Sequence, residues 1–558
     1  MENPEKMTRS TSCRGVSFEI NPNKTNPFTV PVQPEVERDG RWVWFPWNIS
    51  PRNRLRSPFG VSPLSFMFQR STSRASSHYC DLDDEDDEEE MIVEEEVNDI
   101  ENLKKEEEDY RQHLAKKESY VAKTKQRRES RLSVILLDQG LFTVYKRLFA
   151  VCLLLNLLGL LLAATGRFPY ARRKAALFSV GNILVLTLCR TEAFLRFVFW
   201  LAVKALGRSW VPLRLKTMTT SFLQSLGGIH SGCGVSSIAW LIYALVLTIN
   251  DRQNTTNAIV AVASTILSLL CLSSLAAFPL VRHLHHNIFE RTHRIAGWTA
   301  LALLWLFIVL TISYNPISKS YHNFHCSILV KELEFWFTLT ITFLIILPWT
   351  TVKRVAVTIT TSSGHAALIK FEGGVKAGLL GRISPSPLSE WHAFGIISDG
   401  NKDHMMLAGA VGDFTKSLVS DPPSHLWVRS VRFAGLPYLV NMYQRVVLVA
   451  TGSGICVFLS FLLQPCAADV CLVWVAKGIG ENFGKEIKEM MSGFSKEKVI
   501  IHDTAVWGRP NVAEMSIDAA KRWRAEVVIV TSNPKGSRDV VNACKGAGIA
   551  AFGPIWDS

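Results

Sequence analysis

The stretch RVVLVATGSGICVFLSFLL, residues 445–463, reads as a strand, a glycine turn and a helix. The run VVLVA has the β-branched density of a buried strand. Gly452 and Gly454 let the backbone come close to a phosphate, and a following helix N-terminus would offer unpaired N–H groups. The same turn also suits any tight strand-to-helix junction, so the surrounding sequence has to decide what it is for.

Outward from this turn, everything after Thr351 looks like an α/β region. Strand-like runs VAVTIT, RVVLVA, VCLVWVA and EVVIVTS alternate with helix-like segments, and Gly and Pro punctuate the joints. Upstream the character changes at Leu148. Nearly uncharged apolar runs lie near 148–166, 175–190, 235–249, 257–281, 295–314 and 335–352, and a run of ~20 residues is what a helix needs to cross a bilayer. The third extends backwards through SFLQSLGGIHSGCG. The segment TEAFLRFVFWLAVKAL, 191–206, has two open readings: a continuation of the second span, or an amphipathic helix lying in an interface. An even number of spans puts both termini on one side. The Lys- and Arg-rich segments 123–147, 191–219, 282–294 and 353–354 make that side cytoplasmic, and the sequon at Asn254 faces the other way. The basic loop GRFPYARRK, 166–174, breaks this rule.

Lys and Arg total 61 against 49 Asp and Glu, a formal charge of +12, while 48% of the residues are hydrophobic and concentrated in the middle of the chain. That combination fits basic flanks around membrane spans and contact with membrane lipid. No basic patch with interleaved aromatics appears, so nucleic acid is excluded as a partner. The eleven cysteines include no CxxC spacing, which favours neither a zinc site nor a disulfide framework. The N-terminus lacks the apolar core of a secretory signal. Residues 1–130 read as a disordered arm, ending in the acidic run DLDDEDDEEEMIVEEE at 81–96 and a polar stretch with helical character, and suit a protein partner. The aromatic cluster WVWFPW, 42–47, has the look of a docking motif.

The histidines collect at one face of the helical region. His230 begins the third span, His283, His285 and His286 follow the fourth, and His293 begins the fifth. Imidazoles facing each other across a bundle can supply both axial ligands of a haem iron. Histidines beside arginines in a loop equally serve as a basic flank for lipid headgroups.

Further motifs follow in order around the glycine turn. EWHAFGI (390–396), AVGDFTKSL (410–418) and FAGLP (433–437) precede it; WGRPNV (507–512), VIVTSNPKGSRDVV (528–541) and the terminal AFGPIWDS follow. This ordered set resembles the ferredoxin-reductase-like flavin and nicotinamide half of the ferric reductase and NADPH oxidase superfamily, and is most similar to TmpA-type integral membrane proteins, over about residues 140–558. The resemblance implies a mixed fold class: a disordered N-terminal arm (1–130), an all-α transmembrane bundle (140–352), an FAD-binding-like antiparallel β-barrel (353–445) and a Rossmann-like, NAD(P)-binding-like α/β domain (446–558). It implies that His392 and Phe394 line the flavin of FAD, that Gly452, Ser453 and Gly454 hold the pyrophosphate of NADPH or NADH, and that Arg509 and Asn511 lie near the adenosine end. Thr531 falls at the nicotinamide, Trp556 stacks on the flavin as a gate for hydride transfer, and His230 and His293 ligate a haem. The sequence departs from that pattern where Tyr243 and Leu306 replace the ligands of a second haem. It departs again where Ala393 and Gly395 replace a Pro and a Thr, and where Thr531-Ser532-Asn533-Pro534 replaces Cys-Gly-Pro.

Two functions fit these features. One is a multi-pass membrane flavoprotein oxidoreductase moving electrons from NAD(P)H through FAD to an unknown acceptor, with or without one cytoplasmic-side haem. The other is a catalytically inactive membrane scaffold or binding protein that keeps the reductase fold. A transporter would account for the spans but not for the ordered motifs.

Overall fold

Long apolar runs without Pro or charge form helices because each residue satisfies its own backbone. The computed structural model describes residues 143–322 and 326–555, with a short pairing of Ser12–Cys13 on Val16–Ser17. The acidic arm, the cluster at 42–47, Trp556 and the side chains of His283 and His286 lie outside the described residues. The helical region comprises α1 (Val144–Ala164), α2 (Ala175–Leu188), α3 (Glu192–Leu206), α4 (Leu213–Gln224), α5 (Leu226–Asn250), α6 (Asn257–Ala276), α7 (His286–Ser313) and α8 (Leu333–Thr350). Five of these, α1, α5, α6, α7 and α8, are long and apolar enough to cross a membrane. The expected second span is the short one: α2 has only 14 residues. The basic loop that broke the charge rule is partly explained, since Lys174 pairs with Glu332 at 2.6 Å and Glu334 at 3.6 Å.

Segment 191–206 does not continue α2. The chain turns at Arg190 and Thr191, and α3 starts afresh at Glu192. Its inner face packs on the strand region: Phe199 joins that core together with Leu223 of α4. Phe197, Trp200 and Leu201 remain exposed on the outer face. Thr220 of α4 hydrogen-bonds the buried Tyr443 hydroxyl at 2.7 Å. At the start of α3, the Glu192 carboxylate is buried and paired with Arg382 at 2.5 Å and Arg429 at 3.0 Å.

The strands follow without a break. β1 (Val352–Ala356), β2 (Thr358–Ser363), β3 (Ala366–Glu372), β4 (Leu379–Ser384), β5 (His392–Gly395), β6 (Ile397–Ser398), β7 (Asp403–Gly409), β8 (His425–Arg429) and β9 (Phe433–Ala434) form two antiparallel sheets, with α9 (Asp413–Ser420) after β7. One sheet runs β6-β7-β3-β2; the other runs β9-β4-β8-β1, with β5 on β4. Alternation along β3 sends Ala367, Ile369 and Phe371 into the barrel core and Ala366 and Leu368 into the core shared with the next domain. His404 of β7 is buried there, stacked on Phe371. Its Nε2 accepts from Arg432 at 3.0 Å and its Nδ1–H donates to the Gly373 carbonyl.

The last domain is a parallel sheet of β10 (Arg445–Thr451), β11 (Asp469–Ala476), β12 (Val499–Asp503), β13 (Val527–Thr531) and β14 (Ala550–Phe552), in the spatial order β12-β11-β10-β13-β14. Helices α10 (Gly484–Ser492), α11 (Val512–Trp523) and α12 (Pro534–Gly546) connect the strands. Val446, Leu448 and Ala450 face one core while Val447 and Val449 face the other. That is why this strand reads as an unbroken apolar run.

Two outcomes follow. Glu192→Ala strands two guanidiniums in a mostly buried junction, so we expect about 3 kcal/mol of destabilisation, read as earlier unfolding in denaturant; an unchanged midpoint would show that the triad holds nothing. Burial pulls the His404 pKa down to about 4 from 6.5, with the neighbouring Arg432 acting in the same direction. The unfolded chain therefore binds this proton first. Its contribution is complete above pH 6.5 and is lost as pH falls towards 4, on the order of 3 kcal/mol in all. A His404→Gln variant should flatten that part of the stability–pH curve.

Candidate functional site

In the parallel sheet the chain runs outward from β10 in both directions, to β11 on one side and β13 on the other. The strand order reverses at β10, and the crevice for a ligand in such sheets opens at the carboxyl ends of the strands flanking this point. Gly452 and Ser453 leave β10 there, and Thr531 and Ser532 end β13. The Thr451 and Ser532 hydroxyls meet across the gap at 2.8 Å. Gly452 takes φ +51°, and a Cβ on it would meet no atom within 4 Å, so its outer side faces open space. Its carbonyl is fixed from below by the buried Trp474, whose Nε1–H donates to it at 2.9 Å.

The helix expected after the turn is mostly absent. Gly452–Val457 forms a 3-10 turn, and the only α-helical piece is Ser460–Leu463. The barrel is the physical cause. A Cβ on Gly395 would lie 2.6 Å from Val457 Cγ1, so β5 presses against the turn. The Ser460 hydroxyl donates to the Ile396 carbonyl at 2.6 Å and accepts from Ser398 N at 3.0 Å. The helix N-terminus expected after the glycines is therefore replaced by the N–H groups of a tight turn. Gly452, Ser453 and Gly454 are all buried within it, so the space beside Gly452 is a recess and not open surface.

The other expected site residues are spread around this crevice. Thr531 is buried at its edge. Arg509 is exposed in the loop before α11, and Asn511 caps that helix by accepting from Glu514 N at 3.3 Å. His392 lies at the barrel rim, stacked on Phe414 of the GDFT motif at 4.5 Å and 12°. Phe394 does not line a crevice: it is 3% exposed and part of the barrel core, because the alternation of β5 turns it inward. The half-buried His392–Phe414 edge has the chemistry on which an isoalloxazine ring packs.

His230 and His293 come together in the helical region. They line one cavity of about 710 Å³ between α2, α5, α6, α7 and α8, with Arg282 and Arg294 also on its wall. His230 Nδ1–H donates to the Leu186 carbonyl at 3.0 Å, and His293 Nδ1 lies 3.2 Å from the Ser273 carbonyl and 2.8 Å from its hydroxyl. Holding each ring by Nδ1 leaves the Nε2 lone pair available to a metal, and the volume suits a porphyrin-sized group. Tyr243 joins an aromatic cluster around Trp240. His285 is exposed.

Several contributors escaped the sequence reading. Ser532 was visible only as a departure from a motif, and nothing in the local pattern around Trp474 marks it as the anchor of Gly452. Glu192 sits in a segment that reads as either of two kinds of helix.

A family model described as adenylate-forming reductase 03009, C-terminal domain, matches residues 436–558. Over 436 residues, 76% of this chain, the chain is 34% identical to adenylate-forming reductase 06235 of Coprinopsis cinerea. It is 33% identical over 435 residues to adenylate-forming reductase 03009 of the same organism. The chain spans 41% of the length of each of these relatives. Among solved structures it is similar to CYP116B46 from Tepidiphilus thermophilus (TM-score 0.30, 11% identity, 36% of this chain and 28% of that one). It is also similar to the ferredoxin-NADP+ reductase from Plasmodium falciparum with 2'P-AMP (TM-score 0.28, 10% identity, 36% and 95%). The architecture rests on the strand order above and not on these structural likenesses. The curated relatives correct the resemblance drawn from the motifs. They are adenylate-forming reductases, not ferric reductases, NADPH oxidases or TmpA-type proteins. The reading as a multi-pass membrane flavoprotein of the ferric reductase kind, with its scaffold variant, falls with that resemblance.

Proposed function

We propose that the chain is a nicotinamide-dinucleotide-dependent oxidoreductase, the reducing portion of an activity of the adenylate-forming reductase kind. The observation that carries this is the opening beside Gly452 at the strand-order reversal, walled by the hydroxyl pair of Thr451 and Ser532. The backbone at Gly452 would take the pyrophosphate of NADPH or NADH, with Ser453 and Gly454 shaping the turn and Thr531 at the reactive end. Arg509, close to Asn511, would meet the adenosine-side phosphates. The relatives' name joins adenylate formation to a reduction, and the adenylate-forming step is assigned to no residue here. FAD would rest on the His392–Phe414 edge and supply the ability to accept a hydride. Trp556, which lies outside the described residues, would be the gate between the two rings.

The bundle cavity would have room for a haem, and His230 and His293 are the residues that would hold its iron. The outer faces of α1 and α8 expose Leu154, Leu158, Leu161, Leu339, Phe343 and Ile346, and burying such rows in lipid removes them from water. We therefore place the five long helices in a bilayer, with α2 as a sixth, shorter crossing that returns both chain ends to the cytoplasmic side.

The test uses the full chain purified in detergent from the carbonate-resistant membrane fraction. Gly452→Val puts a β-branched residue at positive φ and fills the opening, so NADPH binding, followed by fluorescence titration, should weaken at least about tenfold while circular dichroism is retained. Equal affinity in a folded variant would sink the assignment. For the cavity, haemin titration should give a Soret band in the parent that is lost in His293→Ala; a band of equal intensity in both rejects the axial pair.

A further inference from the structure

Two thiols meet inside the helical region and take no part in the function proposed above. Cys152 of α1 and Cys233 of α5 are 81 positions apart in sequence, yet their Sγ atoms lie 3.4 Å apart. Both are free thiols. The pair exists because α5 carries Gly228 and Gly232 on the face that meets α1. A Cβ at Gly228 would run into the Tyr145 carbonyl, and one at Gly232 would lie 2.9 Å from Cys152 Cβ and 3.1 Å from the Phe149 carbonyl. Only two glycines one turn apart allow the backbones this close. The approach brings two side chains from different helices to within a small rotation of a disulfide, whose S–S length is about 2.05 Å.

We propose that Cys152 and Cys233 form a redox-modified site, a reversible disulfide tying α1 to α5. The oxidant class is a small neutral peroxide, which needs no charged entry path. Cys152 is half-buried and Cys233 is 3% exposed, so Cys152 is the sulfur that meets peroxide. Its sulfur attacks one peroxide oxygen, the O–O bond breaks, and a sulfenic acid forms with release of one water. The Cys233 sulfur then attacks the sulfenic sulfur, the S–O bond breaks, a second water leaves and the S–S bond forms. The two thiols lose two electrons, hydrogen peroxide gains them, and both thiol protons end in water. An added dithiol reverses the step.

The link has a structural consequence. α1 carries Tyr145, Lys146 and Phe149 to the wall of the large cavity, and Tyr145 is bonded to Ser231 of α5 at 3.0 Å. Oxidation would turn a contact between two helices into a covalent clamp beside that wall. The inference does not depend on which ligand, if any, the cavity takes.

The experiment treats the full chain, in its native membranes, with hydrogen peroxide. Remaining thiols are then blocked with N-ethylmaleimide and the digest is mapped by mass spectrometry. The expected result is a Cys152–Cys233 cross-linked peptide two hydrogens lighter than the sum of its parts, abolished by dithiothreitol. In Cys233→Ser, dimedone should trap a sulfenic acid on Cys152. In Cys152→Ser, Cys233 should stay reduced at the same dose. Cross-linking of either residue to Cys189 instead, oxidation of Cys233 in Cys152→Ser, or recovery of both thiols unmodified while dimedone labels other cysteines would each overturn the proposal. Ser is nearly isosteric with Cys, and retained solubility and circular dichroism in the two variants separate a lost site from a lost fold.

Discussion

A buried carboxylate sits where the helical and strand regions of this structure meet. Glu192 begins a helix that could otherwise have extended from its neighbour, and it is buried between Arg382 and Arg429 of the barrel. Taking a carboxylate out of water is costly unless opposite charge meets it. The two arginines are themselves held, Arg429 over the Trp391 ring and Arg382 over Phe433. With that corner fixed, Phe199 and Leu223 can reach the core of the strand region. The helical and strand regions therefore share apolar burial.

The same economy of contact governs the crevice. The barrel strand β5 leans on the glycine turn at Gly395, and Ser460 satisfies the barrel backbone on both sides. These contacts shorten the helix after the turn, and the space beside the Gly452 Cα is left unfilled. Trp474 holds the carbonyl of that residue from inside the sheet. Asp503 plays a similar part at the next strand end, where its carboxylate accepts from Gly478, Ile479 and Ala505. The strand ends around the crevice are thus rigid while the loop before α11 is exposed, an arrangement suited to binding an elongated ligand along the sheet edge.

In the bundle, small residues decide what meets. Gly228 and Gly232 bring α5 against α1 and place Cys152 on Cys233, while on neighbouring faces of the same helix His230 borders the cavity and Trp240 donates to Asn156 at 3.0 Å. Asn156 also accepts from Asn182, so these two amides are satisfied locally and do not compete with the imidazoles.

The sequence by itself determined the local facts. The unbroken run of β10 announces burial on both faces, the long uncharged runs announce helices, and the glycines at 452 and 454 announce a tight turn. These are set by steric and solvation preferences within a few residues. The sequence also showed that His230 and His293 begin two helices near one end of the bundle. Only the tertiary structure decided which partners meet: that Phe394 turns into the barrel core, that α3 belongs to the strand region, that the helix after Gly452 stops short, and that Cys152 reaches Cys233. Motif order pointed to the wrong family for the same reason. Short glycine and polar motifs report the geometry a strand end must adopt, which many chemistries share, whereas partners distant in sequence are chosen by packing, where a carboxylate or a missing Cβ outweighs any local preference.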